Sequence, residues 1–321
     1  MGGGAGLRGP ERPRTRINHR ADAAVHLSAT RHRYGAIMRI LHLTDTHLYG
    51  DPNARHYDRI DTAAALRGLL AHLAPLQDID LVVHAGDASE DGSAKSYALL
   101  HELLDPFAQQ LGAPLVVAMG NHDVSTVYGQ TIAPGEQRAE SQDRVVQLSG
   151  GGRVVVLDSS VPGAGYGHLE TEQLQWLRAV LAEPAAAGTV LVIHHPPLPA
   201  ATPLLAGLEL DGRDELAAVL EGSDVRIVLS GHYHHAMDGQ VAGIPVHVAP
   251  GITNVVDPLG AGESEQALAL SGASIVELGA GAPRIWSSVL PNAGDAQRDV
   301  FEPVYRFEEQ QVAQILQAAG R

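Results

Sequence analysis

The chain has 321 residues, of which 45% are hydrophobic, and this is enough to bury the core of one large domain or two small ones. Its formal net charge of -15 argues against general binding of nucleic acids. The absence of cysteine excludes disulfides, thiolate metal sites and a cysteine nucleophile. A small phosphorylated substrate remains compatible with the acidic chain, because bound divalent ions reverse the local field inside a pocket.

An arginine-rich leader precedes the first predicted strand. Residues 1–37 contain seven arginines against Glu11 and Asp22, and no apolar run in them is long enough for a signal-peptide core or a membrane span. We predict a disordered extension, with a targeting peptide or a nucleic-acid arm as the alternatives. Met38 stands directly before the first strand, and we take it as the candidate initiator of a domain over residues 38–290.

From residue 39 onward, apolar strands alternate with helical patterns. The five strands that matter most for the site are predicted at Arg39–Leu43, Leu81–His84, Leu115–Met119, Val190–Ile193 and Arg226–Leu229. The helices are predicted at Asp58–Leu73, Ser93–Leu111 (bent or interrupted at Pro106), Thr171–Leu181 and Asp214–Leu220. The order predicts an α/β fold with helices outside and sheets inside.

The remaining segments are more β-like or lack periodicity. Three glycines at 150–152 predict a hairpin. Glycine-separated strands follow, and we predict that the final ones form a second sheet against the first. They lie at Gly239–Val241, Pro245–Val248, Ala267–Leu270, Ala273–Leu278 and Arg284–Val289. We predict long loops at Val124–Asp143 and Pro196–Leu210, of the kind that act as lids or binding loops. The tail, residues 291–321, is predicted to carry an amphipathic helix at Phe307–Ala318.

Five short polar motifs follow or end apolar strands. They are Asp45-Thr46-His47, Gly86-Asp87, Gly120-Asn121-His122-Asp123, His194-His195-Pro196 and Gly231-His232-Tyr233-His234. An α/β sheet gathers its chemistry at the carboxyl ends of its strands, so we expect these motifs to meet at one rim. An acid, an amide and several imidazoles brought together there are typical of a binuclear metal centre.

The donor types restrict the metals. Carboxylate, imidazole and amide ligands without sulfur suit Mn, Fe or Zn better than a soft metal. A carboxylate has two oxygens with which to bridge two cations, and Asp87 is the candidate, standing after a glycine that allows close backbone approach. The i, i+2 spacing of Asp45 with His47, and of His232 with His234, suits extended or loop backbone whose alternate side chains point the same way.

The ordered series of motifs resembles the calcineurin-like metallophosphoesterases over roughly residues 38–289. Within that superfamily the chain is most similar to bacterial class III 3′,5′-cyclic-nucleotide phosphodiesterases, as the segments Leu41–Leu48, Val156–Gly163, Gln173–Leu177 and His194–Leu198 indicate. The resemblance implies a two-sheet β-sandwich flanked by helices, a four-layer arrangement with a dimetal site at the strand ends.

The resemblance also implies roles for individual residues. Asp45, His47 and His234 would bind one metal, while Asn121, His194 and His232 would bind the other and Asp87 would bridge them. His122 matches the histidine that contacts substrate phosphate and protonates the leaving oxygen, and Asn121 would share the contact with phosphate. Glu90 matches an acid that orients this histidine. Purple acid phosphatases of the plant type carry a tyrosine there and lack a histidine in the first motif, so the chain departs from that branch.

The expected activity is hydrolysis of 3′,5′-cyclic nucleotides such as cAMP, with two divalent ions (Mn or Fe, with Zn as the alternative) that activate a bridging hydroxide for attack on phosphorus. The enzymatic alternative is a glycerophosphodiester or broad-specificity phosphodiester hydrolase. A non-enzymatic scaffold of the same fold is disfavoured, because no ligand position is lost. Base preference stays open.

Other polar and apolar residues have structural interpretations. His195 and His235 are expected to point away from their ligand neighbours, with His195 supporting the site, and His42 and His84 are expected in the core. Asp123 and Asp158 are expected to brace loops. Leu204, Leu205 and Leu208 are interpreted as either a nucleobase wall or a dimer contact. We expect a small phosphodiester substrate, no general nucleic-acid binding, no integral membrane segment, a cytoplasmic location and, by resemblance alone, a homodimer.

Overall fold

The computed structural model describes residues 1, 25–27, 38–132, 141–260, 264–295, 299, 301–319 and 321. The strands are β1 (Val25–Leu27), β2 (Met38–Leu43), β3 (Leu81–His84), β4 (Leu115–Val117), β5 (Arg144–Leu148), β6 (Arg153–Leu157), β7 (Thr189–Ile193), β8 (Val225–Ser230), β9 (Met237–Val241), β10 (Ile244–Val248), β11 (Val255–Val256), β12 (Glu265–Leu268), β13 (Leu270–Leu278), β14 (Arg284–Pro291) and β15 (Pro303–Phe307). The helices are α1 (Thr62–Leu73), α2 (Ala94–Leu111), α3 (Ser125–Thr131), α4 (Thr171–Leu181), α5 (Pro203–Ala206), α6 (Arg213–Leu220) and α7 (Glu309–Ala318).

Two main sheets face each other across an apolar core. One has the strand order β1-β5-β6-β7-β8-β10-β9 and the other β14-β13-β2-β3-β4, while β11, β12 and β15 form a small third sheet. Successive residues of a strand point to opposite faces, so Ile40 and Val83 of one sheet pack with Val154 and Val192 of the other. Full burial of these side chains makes the inter-sheet layer the centre of the fold.

Helices cover the outer face of each main sheet. Leu66 of α1 and Leu100 of α2 pack with Leu41 and Val82 on the outer face of the five-stranded sheet. Helices α4 and α6 cover the seven-stranded sheet through side chains such as Leu177. The four-layer sandwich flanked by helices is therefore confirmed.

The helix starts agree with their capping residues. The side chain of Asp61 accepts a hydrogen bond from Ala64 N at the start of α1, and the side chain of Ser93 accepts one from Ser96 N at the start of α2. Helix α2 runs through Pro106 without interruption. Pro106 lies on the exposed side of the helix, where water can bond the carbonyl that its missing N–H leaves free.

Several segments differ from the sequence-based expectation. Most of the predicted leader lies outside the described residues, so its disorder stays a prediction, and its described strand, β1, pairs in parallel with β5. Helix α3 replaces part of the predicted loop at 124–143, and the buried Tyr128 anchors it by donating to Val117 O at 2.7 Å. Residues 133–140 of that loop lie outside the described part of the chain.

The C-terminal region is joined to the rest of the fold by a strand. Strand β15 pairs antiparallel with β12, so Phe307 ends a strand instead of starting the predicted helix. Helix α7 follows and packs near α5, where Leu316 lies against Gly207. The domain boundary at residue 290 stays a prediction, and β14 runs across it to Pro291. Within the described residues, no helix combines the length and apolarity that crossing a bilayer requires.

Candidate metal centre

The loops that follow β2, β3, β4, β7 and β8 meet at one edge of the two sheets. The first two are joined by backbone hydrogen bonds from Asp45 N to Gly86 O and from His47 N to Asp87 O, both 3.0 Å. The loop after β8 is joined to them because His232 N donates to the Asp45 carboxylate at 3.2 Å. These hydrogen bonds alone fix the relative positions of the first, second and fifth motifs.

The structure brings all seven predicted ligand residues together. The donor atoms of Asp45, His47 and His234 lie within 4.8 Å of one another, and so do those of Asp87, His194 and His232. Asn121 joins the second group, because its Oδ1 lies 3.2 Å from His194 Nε2. His194 Nε2 also lies 4.0 Å from Asp45 Oδ1, so the two groups are neighbours.

Asp87 stands between the two groups. Its Oδ2 lies 3.3 Å from His194 Nε2 and 3.6 Å from His47 Nε2. Its Oδ1 accepts a hydrogen bond of 2.9 Å from His122 N, which fixes the plane of the carboxylate. Gly120 allows this approach, since a Cβ added there would lie 2.2 Å from Asp87 Oδ1.

Each of the four imidazoles has one ring nitrogen held by an acceptor. The pairs are His47 Nδ1 with Glu90 Oε2 at 2.7 Å, His234 Nδ1 with Asn254 Oδ1 at 2.9 Å, His194 Nδ1 with Ala85 O at 2.9 Å and His232 Nε2 with Leu208 O at 2.9 Å. Such acceptors fix the protonated nitrogen and leave the lone pair of the other nitrogen facing the centre.

This arrangement of lone pairs fits a bound cation. His47 Nε2 and His234 Nε2 lie 3.1 Å apart, although both rings direct their N–H groups elsewhere. Two facing lone pairs repel each other unless a proton or a metal ion lies between them. The nitrogen and oxygen donors without sulfur match Mn, Fe or Zn, so the residues present fit a pair of divalent ions.

Neighbouring charges shift the pKa values of groups in the centre. Burial alone would raise the pKa of the Asp87 carboxyl, but His194 and His122 hold it well below its usual range. Burial opposes a charge on His194, yet the neighbouring Asp87 and Asp45 raise its pKa to about 9. The two carboxylates therefore favour positive charge at His194, whereas burial lowers the pKa of His232 and of His234.

His122 lies at the open side of the centre. Its side chain is 39% exposed, and its Nδ1 lies 3.0 Å from Glu90 Oε2. Burial opposes a charge on the ring, but Asp87 and the hydrogen bond to Glu90 raise the pKa of His122 to about 10. His122 can therefore present a proton to a molecule that enters from solvent.

The backbone at the centre is strained. Five of the seven predicted ligands have positive φ, namely Asp45 at 56°, His47 at 44°, Asp87 at 52°, His232 at 69° and His234 at 54°. L-residues with side chains rarely adopt this left-handed conformation, and clusters of it are a feature of functional sites.

The supporting residues agree with their structural interpretation. His195 lies beside the His232 ring at 4.3 Å, and its Nδ1 pairs with Ser159 Oγ at 2.8 Å. Asp123 accepts hydrogen bonds from the backbone of Gly120, Ala88 and Ser89, so it braces two motif loops.

The other polar candidates are also structural. His42 is fully buried 5.5 Å from the His247 ring, and His84 pairs with Thr46 Oγ1 at 3.1 Å. The hydrogen bond of His235 is to Ala236 O, beyond the ligand motif. Asp158 braces the loop after β6 by accepting from Ser160 and Gln142.

Sequence reasoning missed three residues near the centre. The His56 ring lies 5.0 Å from that of His47, and its Nδ1 is 3.9 Å from Glu90 Oε2. Tyr57 follows it in a turn, and Asn254 holds His234. None of them belongs to a motif or a periodic element, so only the imidazole and amide side chains themselves could have drawn attention to His56 and Asn254.

Comparison with known proteins agrees with this geometry. The calcineurin-like phosphoesterase profile matches residues 38–236. The chain is 40% identical over 211 residues to the "Probable cyclic nucleotide phosphodiesterase" of Rhodococcus erythropolis, covering 65% of this chain and 69% of that one. It is 40% identical over 212 residues to the cAMP/cGMP dual specificity phosphodiesterase of Mycobacterium tuberculosis, covering 65% of this chain and 66% of that one.

A solved structure shows the same fold. The GAP50 anchor of the inner membrane complex of Plasmodium superposes with a TM-score of 0.54 at 12% identity, covering 88% of this chain and 94% of that chain. At that identity the likeness concerns the fold alone. The profile match over more than half of the sequence, together with the relatives at 40% identity, shows that the chain belongs to the calcineurin-like phosphoesterase family.

Proposed function

We propose that the chain hydrolyses 3′,5′-cyclic nucleotides, with cAMP as the reference substrate, and that it uses two divalent metal ions. The observation that carries the proposal is the convergence of seven nitrogen and oxygen donor residues, with Asp87 between the two groups. The names of the two relatives at 40% identity support the substrate class.

The proposed ligands divide between the two ions. Asp45, His47 and His234 would hold the first, Asn121, His194 and His232 would hold the second, and Asp87 would serve both. We propose Mn or Fe, with Zn as the alternative, because the donors are imidazole, carboxylate and amide groups. When bound, such a pair of ions activates water as a nucleophile at neutral pH and neutralises the charge on phosphoryl oxygens.

The remaining chemistry belongs to side chains at the open side. Asn121 and His122 contact the substrate phosphate in this proposal, and the His122 ring donates a proton to the alkoxide that leaves when the cyclic ester opens. Glu90 accepts from both His122 Nδ1 and His47 Nδ1, so one carboxylate orients the proposed acid and a proposed ligand together.

The experiment compares substrates on one Mn-loaded preparation. We expect faster turnover of 3′,5′-cAMP than of 2′,3′-cAMP or glycerophosphoethanolamine, and two ions per chain by elemental analysis. Fast cleavage of glycerophosphoethanolamine with negligible turnover of the cyclic substrates would instead assign a glycerophosphodiester hydrolase. A well-folded chain with substoichiometric metal and no turnover would indicate a scaffold.

The Asp87→Ala variant tests whether the activity depends on the metal centre. We expect it to lose both metal and turnover, because Asp87 Oδ2 lies within 3.6 Å of a histidine nitrogen from each group of donors. An exposed acid far from the motifs, Glu183, provides the matched control Glu183→Ala. The cytoplasmic location and the homodimer stay predictions.

A further inference from the structure

Three aromatic rings pack in a row beside the metal centre, with Tyr57 tilted by 44° to the Tyr305 ring. The Tyr57 and Tyr305 ring centroids lie 4.6 Å apart, and Tyr305 and Phe307 stack at 4.6 Å with an interplanar angle of 23°. Tyr57 is 45% exposed, whereas Tyr305 and Phe307 are partly buried behind it. These three residues, named here the aromatic platform, present one accessible ring backed by two others.

The aromatic platform is close to the proposed ligands. The His56 ring contacts Tyr57 at 4.4 Å on one side and His47 at 5.0 Å on the other. Tyr57 is therefore two ring contacts away from a proposed metal ligand. His56 also lies 3.9 Å from the Glu90 carboxylate, which pairs with His122 at 3.0 Å.

The turn that carries Tyr57 is unfavourable for a tyrosine. Tyr57 has φ of 51° and Asp58 has φ of 56°, and Arg59 N donates to His56 O at 3.1 Å across them. Two successive left-handed residues inside such a turn are usually asparagine or glycine. A bulky side chain at positive φ persists only where its surroundings enforce it, which is a reason to suspect a function.

Arg59 joins this turn to the C-terminal strand. Its Nε donates to Asp295 Oδ2 at 2.7 Å, and its Nη1 donates to Pro303 O at 2.7 Å. The second bond is to the first residue of β15, the strand that carries Tyr305 and Phe307. The position of the aromatic platform is thus fixed by a segment outside the profile match at residues 38–236.

We propose that the aromatic platform is the subsite for the purine base of the cyclic nucleotide, with Tyr57 as the stacking residue. This inference rests on the proposed function. Nucleobases stack on aromatic side chains without needing hydrogen-bond readout. Of the three leucines that the sequence suggested as an apolar wall, Leu204 and Leu205 are only 6% and 5% exposed, and Leu208 is partly buried.

The test removes the aromatic ring of Tyr57 while keeping a residue that can adopt its positive φ. Tyr57→Asn keeps a residue that tolerates positive φ, and Tyr57→Phe keeps the ring. Each variant is assayed as the metal-loaded full chain on 3′,5′-cAMP and on methyl β-ribofuranoside 3′,5′-cyclic phosphate, which lacks a base. Phe301→Ala is the control, since Phe301 is a 79% exposed aromatic residue just before β15.

We expect Tyr57→Asn to raise KM for cAMP about tenfold at nearly unchanged kcat, as loss of base stacking does. Tyr57→Phe and Phe301→Ala should behave like the wild type, and no variant should change turnover of the base-free substrate by more than about twofold. Equal effects of Tyr57→Asn on both substrates, or no effect on cAMP, would overturn the subsite alone. A wild-type chain inactive on cyclic nucleotides would overturn the proposed function and this inference together.

Discussion

Glu90 couples the proposed proton donor to a proposed metal ligand, and Glu90→Gln tests that coupling. One oxygen of Glu90 accepts from His47 Nδ1 at 2.7 Å and lies 3.0 Å from His122 Nδ1. Glutamine has nearly the same size but no charge. The pKa of His122, raised to about 10 by Asp87 and Glu90 against the effect of burial, should therefore fall in the variant.

The magnitude follows from the loss of charge-assisted hydrogen bonds. Such bonds contribute about 1.5–3 kcal/mol each, and the Glu90 side chain is only 22% exposed, so solvent screens little of that energy. Loss of a group that orients metal ligands lowers affinity or activity about 10- to 100-fold. We expect kcat/KM for 3′,5′-cAMP to fall within that range.

The assay separates the two roles of Glu90 by leaving group and by pH. Bis(p-nitrophenyl) phosphate has a good leaving group that needs little protonation, so its turnover should fall less than that of cAMP. His122 is protonated only below its pKa, and the variant should have the lower His122 pKa. As the pH rises, the variant should therefore lose activity on cAMP at a lower pH than the wild type does. Glu102→Gln, at an exposed position of α2, should leave both profiles unchanged. If Glu90→Gln lowers the turnover of both substrates equally and leaves the alkaline limb of the pH profile unshifted, the proposed link to His122 is wrong.

Three further perturbations address the centre. His122→Ala should keep two ions per chain by elemental analysis but lose about 10²- to 10⁴-fold in turnover of cAMP. Gly120→Ala would place a Cβ 2.2 Å from Asp87 Oδ1, so we expect the variant to lose metal and to be destabilised by about 1–3 kcal/mol, measured by urea titration. Gly150→Ala is the control and should be neutral, because no heavy atom lies within 4 Å of the added Cβ. Chelation of metal present at about 100 times its Kd should lower the free energy of unfolding by about 2.7 kcal/mol, measured as a fall in Tm that Mn reverses.

The sequence predicted the elements that place the motifs because those elements are strongly patterned. Strand β3 and helix α4 have the predicted bounds, Leu81–His84 and Thr171–Leu181. The carboxyl ends of the neighbouring parallel strands β2 and β3 meet at one edge, which brings Asp45 and Asp87 together. His194 follows β7 of the other main sheet, and the packing of the two sheets brings it within 3.3 Å of Asp87.

The missing parts of the site depend on contacts that leave no sequence pattern. The acceptors that orient His194 and His232 are the backbone carbonyls of Ala85 and Leu208, and every residue has a carbonyl. Helix α3 has seven residues and one buried side chain, too few for a recognisable helical period. Strand β15 exists through its pairing with β12, a partner about 40 residues earlier in the chain.

The strained backbone of the centre explains how these loops work as one unit. A non-glycine residue at positive φ costs of order 1–3 kcal/mol and persists only when the surrounding structure enforces it. Here the enforcement is mutual, because Asp45 N bonds the loop after β3, His47 N bonds Asp87 O, and His232 N bonds the Asp45 carboxylate. The proposed ligands are thus held in place by one another's backbone and by full burial of Asp45, so a bound ion would stabilise a geometry that the sandwich already imposes. Chelation should consequently lower Tm while the separate layers of the fold, which depend on apolar packing away from the centre, stay intact.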